Sequence, residues 1–579
     1  MKRSAVSAAG LVAAGLLLAL LVVNPLRELL TQDDGWAYAR MVERLLKTGE
    51  YRLDAWSAAN MPVQIYLAAG LAEVFGYSLS LLRCTTLLLL AVGLASLYAL
   101  LRELGTDRGH AALLTLGLLA SPLVLMLAFT FMSDAQFLGW MLLALWLYVR
   151  GLRVESDALV FCGSLAAACA IGTRQFGIAI MAGLALTWLV SNRQRRPPMH
   201  RLLIALAVPM LVGVWQLQAG LREPNFTQAY RVADQRLFLA HSVATLAREG
   251  LWRSVTLVHY LGLSLLPLAP LLAGLALRRG APRAAGARFQ RWPVVLATLL
   301  VAAGLVWASV AGSPLTARPA DPGETDPPPL PLYWMLPTAF AARHRRMTLL
   351  LDACGGVLAL LFAWVVLQAW WARRPDFRAL RHGPPGVSLL LGTGLSLLVL
   401  QLSYVQFNDT YLAGLLPFAL LLLVPALRAT PPRGWAAATG ACAYAAILVT
   451  SLWMRGDYNR QQAYWDGAER LLRSGHAPRD IGGELHWAEY HGAFDEWIAA
   501  GAPGLERAGE GSSKAVYGPL HDPFYRWVEF RSWRAGYRLQ EESQGPPPAG
   551  WQLVDTVPYR DGYFAARSIW ILARRAARD

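Results

Sequence analysis

Two carboxylates stand side by side in TQDDG (31–35), just after the first long apolar run of the chain. Trp36 and Tyr38 follow them. Aspartate is a favoured N-cap residue, so capping the next helix accounts for one of the pair. It does not account for both. Three more polar residues sit in short turns between apolar runs: Asp134 in FMSDAQF, Arg174 in GTRQFG, and Asp409, with Tyr411, in FNDTYLAG. Each has a local explanation, since an Asp can cap and an Arg can reach lipid headgroups. Polar residues at membrane depth are nonetheless costly and tend to be functional. Taken together, these residues suggest one polar site at a membrane surface.

The elements that must position them are apolar. Of 579 residues, 55% are hydrophobic and only 16% charged, and the mean hydropathy is +0.37. Apolar runs of spanning length recur along most of the chain, which marks a polytopic α-helical membrane protein. The runs predict about 13 spans, at roughly 5–24, 80–101, 110–128, 134–150, 158–173, 176–191, 201–219, 253–277, 293–311, 347–371, 387–405, 411–428 and 435–454. The long first run, with further spans behind it, favours an uncleaved first helix over a signal peptide. The loops 102–110, 150–157, 192–201, 278–291, 373–383 and 428–434 are all basic and share a side with Lys2 and Arg3. The positive-inside rule makes that side cytoplasmic. The net charge of +15 is thereby assigned to loop arginines near membrane lipids and not to nucleic-acid binding. Only three of the 53 basic residues are lysine. With abundant Ala, Gly and Pro, this suggests a GC-rich bacterial genome and an inner (plasma) membrane. The five cysteines all fall in apolar segments and have no metal spacing.

Everything else then faces the periplasm or exterior. The first external loop, 25–79, predicts two interfacial helices. One runs from Asp34 with polar Arg40, Glu43, Arg44 and Lys47 on one face and Tyr38, Met41, Val42 and Leu45 on the other. The second is the short apolar stretch 61–76. The segment 312–346 is Pro-rich and external. Residues 1–454 are read as the transmembrane domain and 455–579 as a small extracytoplasmic α+β domain. In the latter, 463–475 reads as helix, 551–559 and 567–574 as strands, and YRDG (559–562) as the turn between them. Its aromatic set, including Tyr458, Tyr464, Trp465, Trp487, Tyr490 and Trp497, suits either sugar rings or ordinary packing.

An acidic pair directly after the first span, with an interfacial helix behind it, resembles the GT-C glycosyltransferases. The branch most like it is that of the protein O-mannosyltransferases and aminoarabinose transferases. Further likeness lies in FMSDAQFLGWMLLALWLYVRG (131–151), AACAIGTRQFGIAI (167–180) and DTYLAGLLPFALLLL (409–423). In the last, Thr410 stands where the family pattern has Arg, and Gly414 near an expected Pro. The resemblance implies the GT-C fold. It also implies transfer from a polyprenyl-phosphate sugar donor to a glycan, lipid or protein acceptor hydroxyl outside the membrane, by an inverting single displacement. Partial desolvation raises a carboxylate's pKa and suits it to take the acceptor's proton. In that scheme Asp33 is the general base, Asp34 orients the acceptor or tunes Asp33, and Asp134 supports them. Trp36, Tyr38, Asp409 and Tyr411 line the substrate site. Arg174 grips the leaving phosphate in two places. Arg343 and Arg345 of AARHRRM, and His259, are further phosphate candidates. Some relatives bind a divalent cation, magnesium or manganese, through loop acids. Without a D-x-D triplet in a second external loop, the sequence argues against an essential metal. The competing classes are a transporter or flippase for lipid-linked glycans, which wants mid-span charges and broken helices, and a non-catalytic assembly protein.

Overall fold

The computed structural model describes residues 3–29, 34–191, 196–222, 225–240, 242–277, 345–371, 385–404, 409–427, 433–483, 485–503, 521–561 and 564–575. Among these the chain is mostly helical. The expected span 293–311 and most of the Pro-rich segment 312–346 lie outside the described residues, as do Asp33 and Arg343. The first half contains α1 (Arg3–Val23), α2 (Gly35–Thr48), α3 (Pro62–Phe75), α4 (Leu79–Glu103), α5 (Arg108–Ala120), α6 (Pro122–Ala128), α7 (Ser133–Arg153), α8 (Asp157–Thr173), α9 (Ile178–Val190) and α10 (Met199–Arg222). The second contains α11 (Phe226–Leu239), α12 (Val243–Ser264), α13 (Ala269–Ala276), α14 (Arg345–Trp371), α15 (Pro385–Ser403), α16 (Leu416–Leu427), α17 (Arg433–Arg473), α18 (Leu485–Tyr490), α19 (Ala493–Ala499) and α20 (His521–Arg534).

Five of the described helices are long and apolar enough to cross a membrane, and up to seven spans result if each of two bent pairs counts as one. Six shorter apolar helices of 10–17 residues accompany them. The chain is an integral membrane protein. Two expected spans are broken. The 110–128 run bends by 68° between α5 and α6, and the 253–277 run bends by 52° between the end of α12 and α13. Pro122 opens α6 and Pro267 lies in the second break. Proline there removes a backbone donor and clashes with the preceding turn.

Close packing fixes the helix that carries Asp134. A Cβ on Gly139 of α7 would meet the Leu89 carbonyl oxygen of α4 at 2.3 Å, and one on Gly93 would meet the Gly139 Cα at 2.8 Å. Small residues let two apolar helices approach backbone to backbone where lipid supplies no hydrophobic drive. The α12–α14 crossing repeats the device: a Cβ on Gly262 would lie 1.8 Å from the Gly355 oxygen.

The C-terminal segment carries a four-stranded sheet of order β1-β2-β4-β3, from β1 (Ile481–Gly482), β2 (Tyr537–Glu541), β3 (Trp551–Arg560) and β4 (Ala566–Arg574). β1 and β2 are parallel, the other pairs antiparallel, with an irregularity between Leu553 and Asp555. The expected hairpin exists, but its loop falls later than YRDG. Strand β3 continues through Tyr559 and Arg560, and Asp561 N donates to Ala565 O at 3.0 Å. The aromatic set is packing: Tyr458, Tyr464, Trp465, Trp487 and Trp497 are all buried. Helix α17 runs unbroken for 41 residues from the apolar part into this segment.

Candidate active site

Helix α2 begins directly at the acidic pair. Its apolar face, including Trp36, Tyr38, Met41 and Val42, is covered by protein. Asp34 occupies the N-cap position, yet its side chain makes no capping hydrogen bond. The Asp34 carboxylate instead accepts from the indole Nε1 of Trp56 at 2.8 Å. Capping therefore does not explain Asp34.

The chain ahead of the pair is held by Arg83, a buried residue in the first turns of α4. Its guanidinium donates to three carbonyls, those of Pro25 (2.6 Å), Arg27 (3.0 Å) and Leu29 (2.7 Å). Glu28 answers by accepting from the α4 backbone at Leu79 (2.8 Å) and Ser80 (3.2 Å). The exit of α1 is thus fixed onto the start of α4, four residues before Asp33. Arg83→Met is expected to lower the unfolding free energy by about 3 kcal/mol, because charged donors to buried acceptors are lost together. Faster trypsin cleavage after Arg27 in the folded protein is the direct check. An unchanged cleavage rate would mean the segment holds itself.

Asp134 lies in the first turn of α7, 3% exposed, and pairs with Arg174, which is 13% exposed. Arg174 follows α8 in extended conformation (φ −151°, ψ 134°), which turns its side chain out of the helix direction. It also donates to Ser133 Oγ at 3.3 Å. Its Cζ stands 4.8 Å from the Tyr411 ring centroid and 5.8 Å from that of Phe176. Burial alone would discourage charge on Arg174. Asp134, then Tyr411 and Tyr38, more than offset it, so the guanidinium is held above its ordinary pKa.

Arg231 of α11 is a component the sequence reading missed. It hydrogen-bonds Tyr404. Burial again opposes its charge, while Tyr404, Tyr411 and Asp34 outweigh it and raise the pKa. Its Nε is buried with no hydrogen-bond partner among the described residues. The Tyr404 and Tyr411 rings lie 6.2 Å apart and both pack on Phe176, at 6.0 and 5.0 Å. Burial, then Tyr404, pushes the Tyr411 phenol up to about 12, so it stays protonated at neutral pH.

The structure therefore brings together Asp34, Tyr38, Asp134, Arg174 and Tyr411 of the expected residues, and adds Trp56, Arg231 and Tyr404. They come from the first loop, the α7 start, the α8–α9 turn, α11 and the turn before α16. Trp36 is buried beside Trp56, with ring centroids 5.7 Å apart. His259 lies half-buried on α12, its ring 6.5 Å from that of Tyr260. Asp409 opens the 3-10 turn Asp409–Gly414 and Arg345 opens α14, but their side chains fall outside the described residues. Asp34 and Asp134, the described acids of the site, are engaged by Trp56 and Arg174. Among the described residues, no three His, Cys, Asp or Glu side chains converge as a metal set.

Charged side chains thus gather near the ends of apolar helices of a membrane protein. Residues 59–215 match the family model of dolichyl-phosphate-mannose-protein mannosyltransferases. That match covers 157 of the 579 residues, about a quarter of the chain. Among solved structures it is similar to ArnT from Cupriavidus metallidurans bound to undecaprenyl phosphate, at 16% identity over 97% of each chain and a TM-score of 0.44. It is also similar to the archaeal oligosaccharyltransferase AglB from Archaeoglobus fulgidus, at 12% identity over 92% of this chain and 69% of that one, with a TM-score of 0.31. The sequence matches no curated protein.

Proposed function

We propose that the chain is a GT-C-fold glycosyltransferase. In this reading it moves a sugar from a polyprenyl-phosphate donor to an acceptor hydroxyl on the periplasmic face of a bacterial inner membrane. One observation carries this reading: two guanidiniums and two carboxylates from separate segments converge at the ends of apolar helices. Asp134 pairs with Arg174, and Arg231, whose charge Tyr404, Tyr411 and Asp34 favour, keeps a buried donor unfilled among the described residues. A lipid phosphate supplies the acceptor oxygens that a buried Nε lacks. The matching family model, whose description names a dolichyl-phosphate sugar, supports the same donor class.

The division of labour follows from position. Arg174 and Arg231, with the protonated Tyr411, take the departing phosphate, where charge grows as the glycosidic bond breaks. Asp33, next to Asp34, takes the proton of the attacking hydroxyl, and Asp34 orients that hydroxyl. Attack from the face opposite the phosphate inverts the anomeric centre. Residues 1–454 form the transmembrane catalytic domain in this reading, and 455–579 the extracytoplasmic C-terminal domain. Purified protein in lipid nanodiscs, given a polyprenyl-phosphate sugar and cell-envelope acceptors, is expected to release free polyprenyl phosphate with the sugar on an acceptor. Movement of the donor across liposomes with no transfer to any acceptor would replace this reading by a flippase.

A further inference from the structure

We propose that Trp56 is a positioning residue that couples the Asp34 carboxylate to the docking of the C-terminal segment. The proposal rests on the glycosyl-transfer reading, in which Asp34 faces the acceptor. Trp56 is 4% exposed and has one polar handle on its ring, the indole N–H. That handle goes to Asp34 Oδ1 at 2.8 Å, and in the glycosyl-transfer reading Oδ2 is the oxygen that meets the acceptor hydroxyl. The Trp56 backbone is anchored separately, its N–H donating to Asp54 Oδ1 at 3.1 Å. Asp54 in turn lies 3.6 Å from Arg40.

Much of the ring's packing comes from the far end of the chain. Phe494 of α19 meets it edge-on at 4.8 Å, and Phe524 of α20 tilts against it at 5.6 Å. These two rings pack on each other at 5.0 Å and on Trp497 at 5.6 and 5.5 Å. The same segment is bound to the first loop by Asp495 on Arg40 and by Tyr490, whose hydroxyl donates to Glu43 at 3.2 Å. The tilt of the indole is therefore set largely by residues more than 430 positions away, while its N–H sets one oxygen of an acid in the site. Tryptophan is the side chain that offers a large apolar body with a single rim donor. Displacing the tail rings rotates the plane that aims this donor. The C-terminal segment thus acts on the reaction without touching the sugar.

The test compares Trp56→Phe, Trp56→His, Asp34→Ala, Phe494→Ala and the Trp56→Phe/Asp34→Ala double variant in the full-length protein. Phe keeps ring packing and removes the N–H; His returns a ring N–H with less packing. Trp56→Phe is expected to lower kcat about 10- to 100-fold, as for loss of a hydrogen bond to a charged group, with the donor KM unchanged. His is expected to be faster than Phe. Phe494→Ala is expected to lower kcat in the same direction with the donor KM held. In the Asp34→Ala background, Trp56→Phe is expected to cost nothing further, since coupled residues are non-additive. If the two losses multiply, or Phe outperforms His, Trp56 is a packing residue and the proposal is wrong while the acceptor role of Asp34 stands. If Asp34→Ala turns over at the wild-type rate, the reading of Asp34 is itself overturned.

Discussion

Replacing Asp33 by Asn is expected to leave the protein folded and to slow sugar transfer by about 10²–10⁴-fold, the range for loss of a positioned general base. The substitution keeps the side chain's size and its capacity to accept at a helix N-terminus, so a capping role alone predicts little change. It removes the basicity, so a proton-accepting role predicts the full loss. Position favours Asp33 over its neighbour for this task, because Asp34 already spends Oδ1 on Trp56. Initial rates of polyprenyl-phosphate release at saturating donor would measure the effect. A variant within threefold of wild type would remove Asp33 from the mechanism.

The second large effect is expected at the Asp134–Arg174 pair. Arg174→Ala leaves a carboxylate that is 3% exposed without its cation. Breaking one side of a buried pair costs about 3–5 kcal/mol, mostly the penalty of the stranded charge. The melting temperature in detergent is therefore expected to fall sharply, and donor binding to fall with it. Removing both charges, as Asp134→Leu with Arg174→Met, separates the two consequences. The double variant regains most of the stability, since no charge is left unpaired, but gains no affinity for a polyprenyl-phosphate donor. If it binds donor like wild type, Arg174 serves only the fold, and Arg231 alone carries the phosphate.

Much of the helical layout was legible because lipid imposes it. The runs 134–150 and 158–173 correspond closely to Ser133–Arg153 and Asp157–Thr173. The bends were less so. A proline in an apolar run signals a break but not its angle, and 110–128 read as one span until Pro122 proved to start a new direction. The site divides along the same line. Asp134 and Arg174 each stood out as a charge in a turn, but nothing in their spacing of 40 residues states that they meet; the extended backbone at Arg174 does that. Arg231 was passed over because α11 is an ordinary mixed helix between spans, and an arginine in it reads as exposed. The available signal was its position one turn after the buried Thr227, which places it toward the covered side. Trp56 was invisible for another reason: a tryptophan in a loop reads as packing until its N–H is seen to point at an acid. In the tail, β3 and β4 declared themselves by alternation, while β1, two residues long, exists only through its partner β2.

Helix α17 carries a last consequence. Its 41 residues make a rod of about 60 Å, twice the hydrocarbon thickness of a bilayer at about 30 Å. Residue 454, where the apolar run ends, lies inside it with no interruption. In the proposed topology the rod is a ruler: the number of residues between the last apolar turn and the sheet sets the height of the C-terminal segment above the lipid and the compass bearing at which it meets the first loop. Adding one residue near 455 would swing the whole segment by about 100° and carry Phe494 away from Trp56, while adding seven would raise it by about 10 Å with nearly the same bearing. Length and phase could thus be varied separately, which would make the reach of the enzyme toward its acceptor an adjustable dimension.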